Sequence, residues 1–459
     1  MNTYPQFKSS GLDWLNEIPS HWKTSSLKRI VTIQTGLTLG KVYDGPLVER
    51  PYLRVANVQD GHLDLEDITT IEVPAGVAKH VELQPGDVLM TEGGDLDKLG
   101  RGFLWNAEIV GCLHQNHIFA LRCFHPKLAP KFLTYLTASQ YGRDYFESTG
   151  KRTTNLATTN STKVGAFPIP LPPIQEQQRI AAYLDASCVA IDAAVAAKRR
   201  QLETLDALRK SIVHRAVTKG LNPAAPRRAS GVTWFGEIPR HWRCEHLKRF
   251  TKRIQAGMTP PTNTPEYYFD GTIPWFAPGS FNGDIDLREP RKLINELARS
   301  EGELRIFPTE TVFLVGIGAT IGKVGFVSAE ASCNQQLIGI VCGHRIHSRF
   351  LAYQFKIYED VIPGIATATT LPIFDQVKTG YLPTLQPPIE EQKTICAFLD
   401  TKLAESKQIV AGIESQIATL TAYRKSLIHE CVTGQRRVTD EDVRRAGHSE
   451  RSQPPERRP

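Results

Sequence analysis

The 459-residue sequence has eight cysteines but no C-x-x-C pair. Neither a zinc ribbon nor a disulfide framework is indicated, and the pattern suits reduced thiols in a cytoplasmic protein. No apolar run approaches the roughly 20 residues of a membrane span, so no membrane association is expected. The opening MNTYPQFKSS lacks the basic-then-apolar pattern of a secretory signal. A G-x-S-x-G elbow and an H-E-x-x-H pair are both missing, which removes the usual signatures of a serine hydrolase and a zinc protease. Gly316, Gly318 and Gly322 are spaced G-x-G-x-x-x-G, and Lys323 is followed by Val324. Neither the dinucleotide fingerprint nor a P-loop is present.

Against these absences stand a basic balance and a long-period repeat. The formal charge is +7 with a pI near 8.9, which permits an anionic partner without requiring one. At this length two to four domains are expected, and a 41% hydrophobic content supports their cores. NEIPSHW (16–22) returns as GEIPRHW (236–242). Gly11, Trp14, Glu17, Ile18, Pro19, His21, Trp22, Leu27, Lys28 and Arg29 recur as Gly231, Trp234, Glu237, Ile238, Pro239, His241, Trp242, Leu247, Lys248 and Arg249, at a constant offset (231 − 11 = 220). A second block, PPIQEQQRIAAYLD (172–185), returns as PPIEEQKTICAFLD (387–400), and RKSIVHRAVTKG (209–220) as RKSLIHECVTGQ (424–435). Such self-similarity decides the architecture: two equivalent globular segments alternate with two equivalent connectors.

The connectors read as long helices opened by Pro-Pro, where a missing N–H costs little. Each carries an apolar seam in 4-3 alternation. The first seam is Leu184, Cys188, Ile191, Val195, Leu202, Leu205 and Ile212. The second is Leu399, Leu403, Val410, Ile413, Ile417, Leu420 and Leu427. Lys198 and Ser406 interrupt them. Each stripe needs a partner, and an antiparallel pairing of the two connectors lets the chain leave and return. The expected fold is therefore α+β: two similar globular domains separated by two long antiparallel coiled-coil helices, related by a pseudo-twofold axis. Expected bounds are 1–168 and 221–383 for the domains, 169–220 and 384–435 for the helices, and 436–459 for a disordered tail.

The globular segments show short strand-like runs. PYLRVANVQDGHLDL (51–65) and PWFAPGSFNGDIDL (274–287) read as strand, polar loop, strand. LQPGDVLM (83–90) and IFPTETVFL (306–314) are further strands, followed by the glycine turns GGDLDKLGRG (93–102) and GIGATIGKVG (316–325). Both turns keep a late cation, Arg101 or Lys323, and a bare backbone beside a cation suits a phosphate. HQNH (114–117) could hold a metal, but NQQL (334–337), aligned with it, has no histidine, so His114 and His117 read as structural. Glu391-x-Lys393 resembles part of a nuclease motif; the first copy reads QEQQ there, so it is charge at a helix start.

The ordered blocks G-x-x-W-x-x-E-I-P-x-H-W, P-P-I-x-E-Q and R-K-S-(I/L)-(V/I)-H-x-x-V-T resemble the DNA-specificity subunit of a type I restriction-modification enzyme, over residues 9 to 435. The resemblance implies a non-catalytic chain whose two target-recognition domains each read half of an asymmetric, split double-stranded DNA sequence. The coiled coil would set the gap and dock two modification (adenine methyltransferase) subunits, with restriction/translocation subunits joining them. It implies no cofactor on this chain, with S-adenosylmethionine, ATP and Mg on the partners. Two other readings stay open: service to a fused restriction-methylation polypeptide, or a coiled-coil scaffold without sequence-specific DNA binding.

For DNA contact, Arg101 and Lys323 are the shared positioning candidates. Reading candidates lie in the diverged loops: Lys41, Arg54, Asn57, Lys98, Lys151, Arg152 and Asn155 in the first copy, and Arg253, Gln255, Thr259, Asn282 and Thr320 in the second. Pro19, Trp22, Pro239 and Trp242 recur for packing.

Overall fold

The structure, a computed structural model, describes every residue except 1–2, 60, 95–98, 101, 125, 153–156, 367–371 and 452–459. It divides into two compact units, residues 1–199 with 414–459, and residues 200–413.

Each unit is built on the same four-stranded antiparallel sheet. In the first unit the strand order is Val31–Thr35, Ile118–Cys123, Val88–Thr91, Gly102–Leu104. In the second it is Thr251–Ala256, Leu337–Cys342, Thr311–Val315, Val324–Val327. The third strand of each sheet is buried along its length, as β-branched and aromatic runs such as TVFLV favour. The glycine turns join adjacent antiparallel strands in both units, as a turn reading requires. The strands Leu47–Leu53 and Ile273–Phe276 form where expected, in a second sheet. The strands expected after their polar loops do not. A single bridge, Val58 to Leu63 or Asp286 to Phe326, stands in their place, and 3-10 turns at Val55–Asn57 and Pro278–Ser280 divert the chain.

The connectors are helices, Ile174–Lys219 and Ile389–Val432, here called the first and second rod helices. Every seam residue is buried or half-buried. In the first unit Leu184, Cys188 and Ile191 share one core with Leu427, Ile428, Cys431 and Val432. Asp192 pairs with Arg424 at 3.1 Å, while Arg179 bonds the Val438 carbonyl at 2.9 Å. Positions rise on one helix as they fall on the other, so the pair is antiparallel. In the second unit Val213, Ala216 and Val217 pack with Ile395, Cys396 and Leu399.

Two expectations need correction. An 18-residue window of the first rod helix reaches a mean hydropathy of 1.6, so this helix is long and apolar enough to cross a membrane by length and composition. Alanines dilute its polar spacing, and its larger apolar residues are spent on the core just described. The tail is not structureless either: Asp440–Arg451 is a helix. Val438, 2% exposed, anchors it to the first unit's core with Val443 and Ala446, and Thr439 caps it with Asp442. Its charged composition hid Val438 just before the helix and Val443 and Ala446 within it.

The repeated peptides meet each other. The strand Lys23–Ser26, just after the first EIPSHW, pairs with Pro168–Leu171, just before Pro-Pro; Arg243–His246 pairs likewise with Pro383–Gln386. Gln177, fully buried, accepts from the Ala129 N–H at 2.8 Å and donates to the Lys127 and Pro172 carbonyls. Gln392 repeats this with the His347 N–H and the Arg345 and Pro387 carbonyls. His21 bonds Glu176 at 2.9 Å and His241 bonds Glu391 at 2.8 Å. Trp22 and Trp242 are buried beneath them. Pro19 and Trp22 close on Gly434, past the end of the second rod helix; Pro239 and Trp242 close on Gly220, past the end of the first. Both glycines sit at positive φ, the usual way to stop a helix. The peptide is written twice because each domain clasps two helix ends.

Candidate nucleic-acid interface

In each unit several loops converge at one end of the four-stranded sheet. The alternation of strand direction dictates this: the ends of strands one and three and the starts of strands two and four share an edge. In the second unit the Met258 N–H bonds the Cys333 carbonyl at 2.8 Å, Gly316 N–H bonds Gln336 carbonyl at 2.8 Å, and Phe374 N–H bonds Gly316 carbonyl at 2.7 Å. In the first, Leu37 N–H bonds His114 carbonyl, Glu92 N–H bonds His117 carbonyl, and Thr159 N–H bonds Glu92 carbonyl, all within 2.8 Å. Glycine is needed where these loops touch. A Cβ on Gly316 would lie 2.7 Å from the Phe374 carbonyl oxygen, and Gly318 holds φ +108.

This edge gathers some of the predicted residues. Thr320 and Lys323 lie in the glycine turn, half-buried. Thr259 donates its hydroxyl to Gln335 across the same edge. Lys151 is exposed on the strand Lys151–Arg152, which pairs through Ala157–Thr158 with Gly93–Gly94 of the first glycine turn. Arg152 shares that strand. Lys41 is exposed in the segment between Val31–Thr35 and Leu47–Leu53. Lys98, Arg101 and Asn155 lie outside the described residues.

Others are engaged elsewhere. Asn57 is 3% exposed and caps its own turn: its Oδ1 accepts from Arg54 N–H at 2.8 Å, and its Nδ2 donates to the Asp64 and Asp67 carbonyls. Arg54 pairs with Asp67 at 2.7 Å, and that partner raises its pKa. Arg253 donates to the Ile306 carbonyl at 2.8 Å and stacks on Phe307, with its guanidinium 4.8 Å from the ring centre. Gln255 is half-buried within a strand. The loop of Asn282 is tied to the second rod helix through Asp284 and Lys407 at 2.7 Å. A polar side chain in a diverged loop serves the loop's own closure as readily as a ligand.

The bend before the second sheet strand also lies at this edge. Hydrogen bonding matches HQNH (114–117) to CNQQ (333–336), one residue from the alignment with NQQL: Gln115 N–H bonds Leu53 carbonyl as Asn334 N–H bonds Phe276 carbonyl. The bend therefore carries Gln115 and Asn116 in one copy, Asn334 and Gln335 in the other. Amide-bearing side chains at both positions were the available signal, obscured by the two histidines. His114 is fully buried against the Val81 carbonyl at 3.1 Å, and burial lowers its pKa. His117 pairs with Glu92 at 2.6 Å. Among the described residues no His, Cys, Asp and Glu cluster could hold a metal ion.

Comparison with known proteins settles the relationship. The family model "Type I restriction modification DNA specificity domain" matches residues 19–203 and again 247–419. The chain belongs to this family. It is a type I restriction-modification specificity subunit, a class whose members are not catalytic. It is 24% identical over 439 residues to the putative type I restriction enzyme MjaX specificity subunit of Methanocaldococcus jannaschii, covering 92% of this chain and 96% of that one. It is also 24% identical over 238 residues to the EcoKI specificity subunit of Escherichia coli K12, covering 51% and 47%. A chain solved in work on complex assembly and conformational transition of the type I system superposes with a TM-score of 0.71 at 17% identity, over 90% of this chain and 98% of its own. The HsdS subunit of Thermoanaerobacter tengcongensis gives a TM-score of 0.54 at 18% identity, over 91% and 98%.

Proposed function

We propose that this specificity subunit reads a split, asymmetric sequence in double-stranded DNA, one half per recognition domain. The loop cluster at the sheet edge is the reading surface in each unit. The observation that carries this reading is duplication with divergence: one edge built twice from the same backbone bonds, with Asn116 in one copy and Gln335 in the other, while the neighbouring Asn334 is buried and bonded to Gln336. Shared backbone presents; differing side chains discriminate. Asn and Gln suit adenine, offering a donor and an acceptor to its major-groove edge.

In this reading Lys323 and Arg101 position phosphates, and Lys41, Lys98 and Lys151 serve the reading loops. The rod helices set the gap between half-sites and dock two modification subunits, which carry S-adenosylmethionine and methylate adenine in the cytoplasm. Restriction subunits with ATP and Mg complete the complex. The test is a map of methylated adenines in a host expressing this chain with its modification partner. A bipartite motif with unlike halves is expected, and insertion of a heptad into both rod helices should lengthen only its spacer. A continuous motif, or altered half-site letters at unchanged spacing, would refute the reading.

A further inference from the structure

The second unit contains a cavity of about 1040 Å³. Its lining includes Asp206 and His214 of the first rod helix, Asp400 and Lys407 of the second, and the loop Asn282–Asp286. Ile285 packs this loop into the second unit's core, and ionic contacts hold its polar side. Arg349, on the helix Ser348–Phe355, points a two-pronged guanidinium both ways. Toward the rod it meets Asp400, with Nε to Oδ1 at 2.8 Å and a second nitrogen to Oδ1 at 2.7 Å. Toward the loop it meets Asp286 at 2.6 and 3.3 Å. Tyr353 donates its hydroxyl to the same Asp400 carboxylate. Lys407 pairs with Asp284 at 2.7 Å, and Lys356 reaches the Gly283 carbonyl at 3.3 Å.

The loop is in turn stitched to the reading edge. Phe326 N–H bonds the Ile285 carbonyl at 2.7 Å, and Leu287 N–H bonds the Phe326 carbonyl at 2.9 Å. Phe326 lies on the strand Val324–Val327, which starts directly after Lys323. A chain of contacts thus runs from Asp400 through Arg349 and Asp286 to the strand that carries the glycine turn. Among the described residues, the first unit shows the near half of this device. Lys131 and Tyr135 both bond Asp185, the counterpart of Asp400, and among the described residues Lys131 is paired with no loop carboxylate.

We infer that Arg349 is a positioning residue: by bridging Asp400 and Asp286 it fixes the angle of the second domain's reading edge on its rod, and so narrows the half-site spacing that the subunit accepts. This rests on the bipartite reading proposed above. A guanidinium suits the task because its planar fork satisfies two carboxylates at once, which an ammonium cannot.

The test uses the full chain assembled with its modification subunit. Methylation is measured on DNA carrying the wild-type motif with its native spacer and with the spacer changed by one base pair. Arg349→Met should cut the preference for the native spacer by about tenfold, with half-site letters unchanged. Arg349→Lys should fall between, and Asp286→Asn and Lys407→Gln, which leave the core intact, should move the same way. Hydrogen exchange reports the strap without DNA: amides of Ile285–Leu287 and Phe326 should exchange roughly tenfold faster in Arg349→Met, while those of Leu337–Cys342 do not change. Unchanged exchange in the loop overturns the inference. So does faster exchange with unaltered spacer preference. If the wild-type chain shows no bipartite motif, the functional reading itself falls, and this inference with it.

Discussion

The two units share a plan but are secured differently. The first is tied most firmly where the domain clasps the helix ends. Tyr4, His21 and Trp22 all bond the one Glu176 carboxylate, with Trp22 Nε1 at 3.2 Å, and the helix Asp440–Arg451 adds further apolar cover. In the second unit, among the described residues, Glu391 is bonded by His241 alone. Ala224 stands at the offset position of Tyr4, and Trp242 Nε1 has no partner among the described residues. That unit is instead strapped across its cavity by Arg349. The same joint is secured at different places in the two units, so identical motif letters do not imply identical load.

The sharpest way to break this comparison is at the helix-stop glycines. A Cβ on Gly434 would lie 2.3 Å from Pro19 Cδ, whereas one on Gly220 would meet nothing closer than 3.2 Å. Gly434→Ala should destabilise the first unit by about 3 kcal/mol, from backbone strain plus overlap. Gly220→Ala should cost the second about 1–2 kcal/mol, chiefly strain. Denaturant unfolding of each variant checks the ranking, and equal losses would contradict it. Next, Trp22→Phe should cost about 1 kcal/mol more than Trp242→Phe, because only Trp22 loses a hydrogen bond to a carboxylate. The same unfolding measurement decides.

The reading edges can be compared by function. Asn116→Ala and Gln335→Ala should each relax one letter of a different half-site, with a loss of about 1–3 kcal/mol against the cognate base. Competition binding with single-base substitutions reads this out; a uniform loss across sequences would show a positioning role instead. Lys323→Gln should weaken binding to all sequences and reduce the slope of log affinity against log salt by about one. The smallest effect is chemical. Burial pushes the thiols of Cys112, Cys396 and Cys431 up to about 12. Native protein at pH 8 should therefore react slowly with iodoacetamide, and denaturant should release all eight thiols.

Much of the architecture was legible because it is periodic. Heptad seams and a doubled peptide are signals that add over many residues, so the long helices and the paired domains needed no tertiary knowledge. Reading sites depend on single side chains, and there the signal is weak. Asn57 and Arg253 had the right chemistry for DNA, yet one closes a turn and the other covers a phenyl ring. The amide bend at 115–116 was hidden by a one-residue slip between HQNH and NQQL. Only the backbone bonds from Leu53 and Phe276 could correct it.

What the amino-acid order determined alone is the repeat, the antiparallel helical seams and the recurrence of tryptophan, proline and glutamate at both joints. Apolar spacing and turn chemistry act locally, so they can be read locally. What the tertiary structure decided is which polar groups are already occupied: Glu176 by three donors, Arg349 by two carboxylates, Asn57 by its own loop. A hydrogen bond between residues far apart in the chain depends on distances that no local pattern encodes.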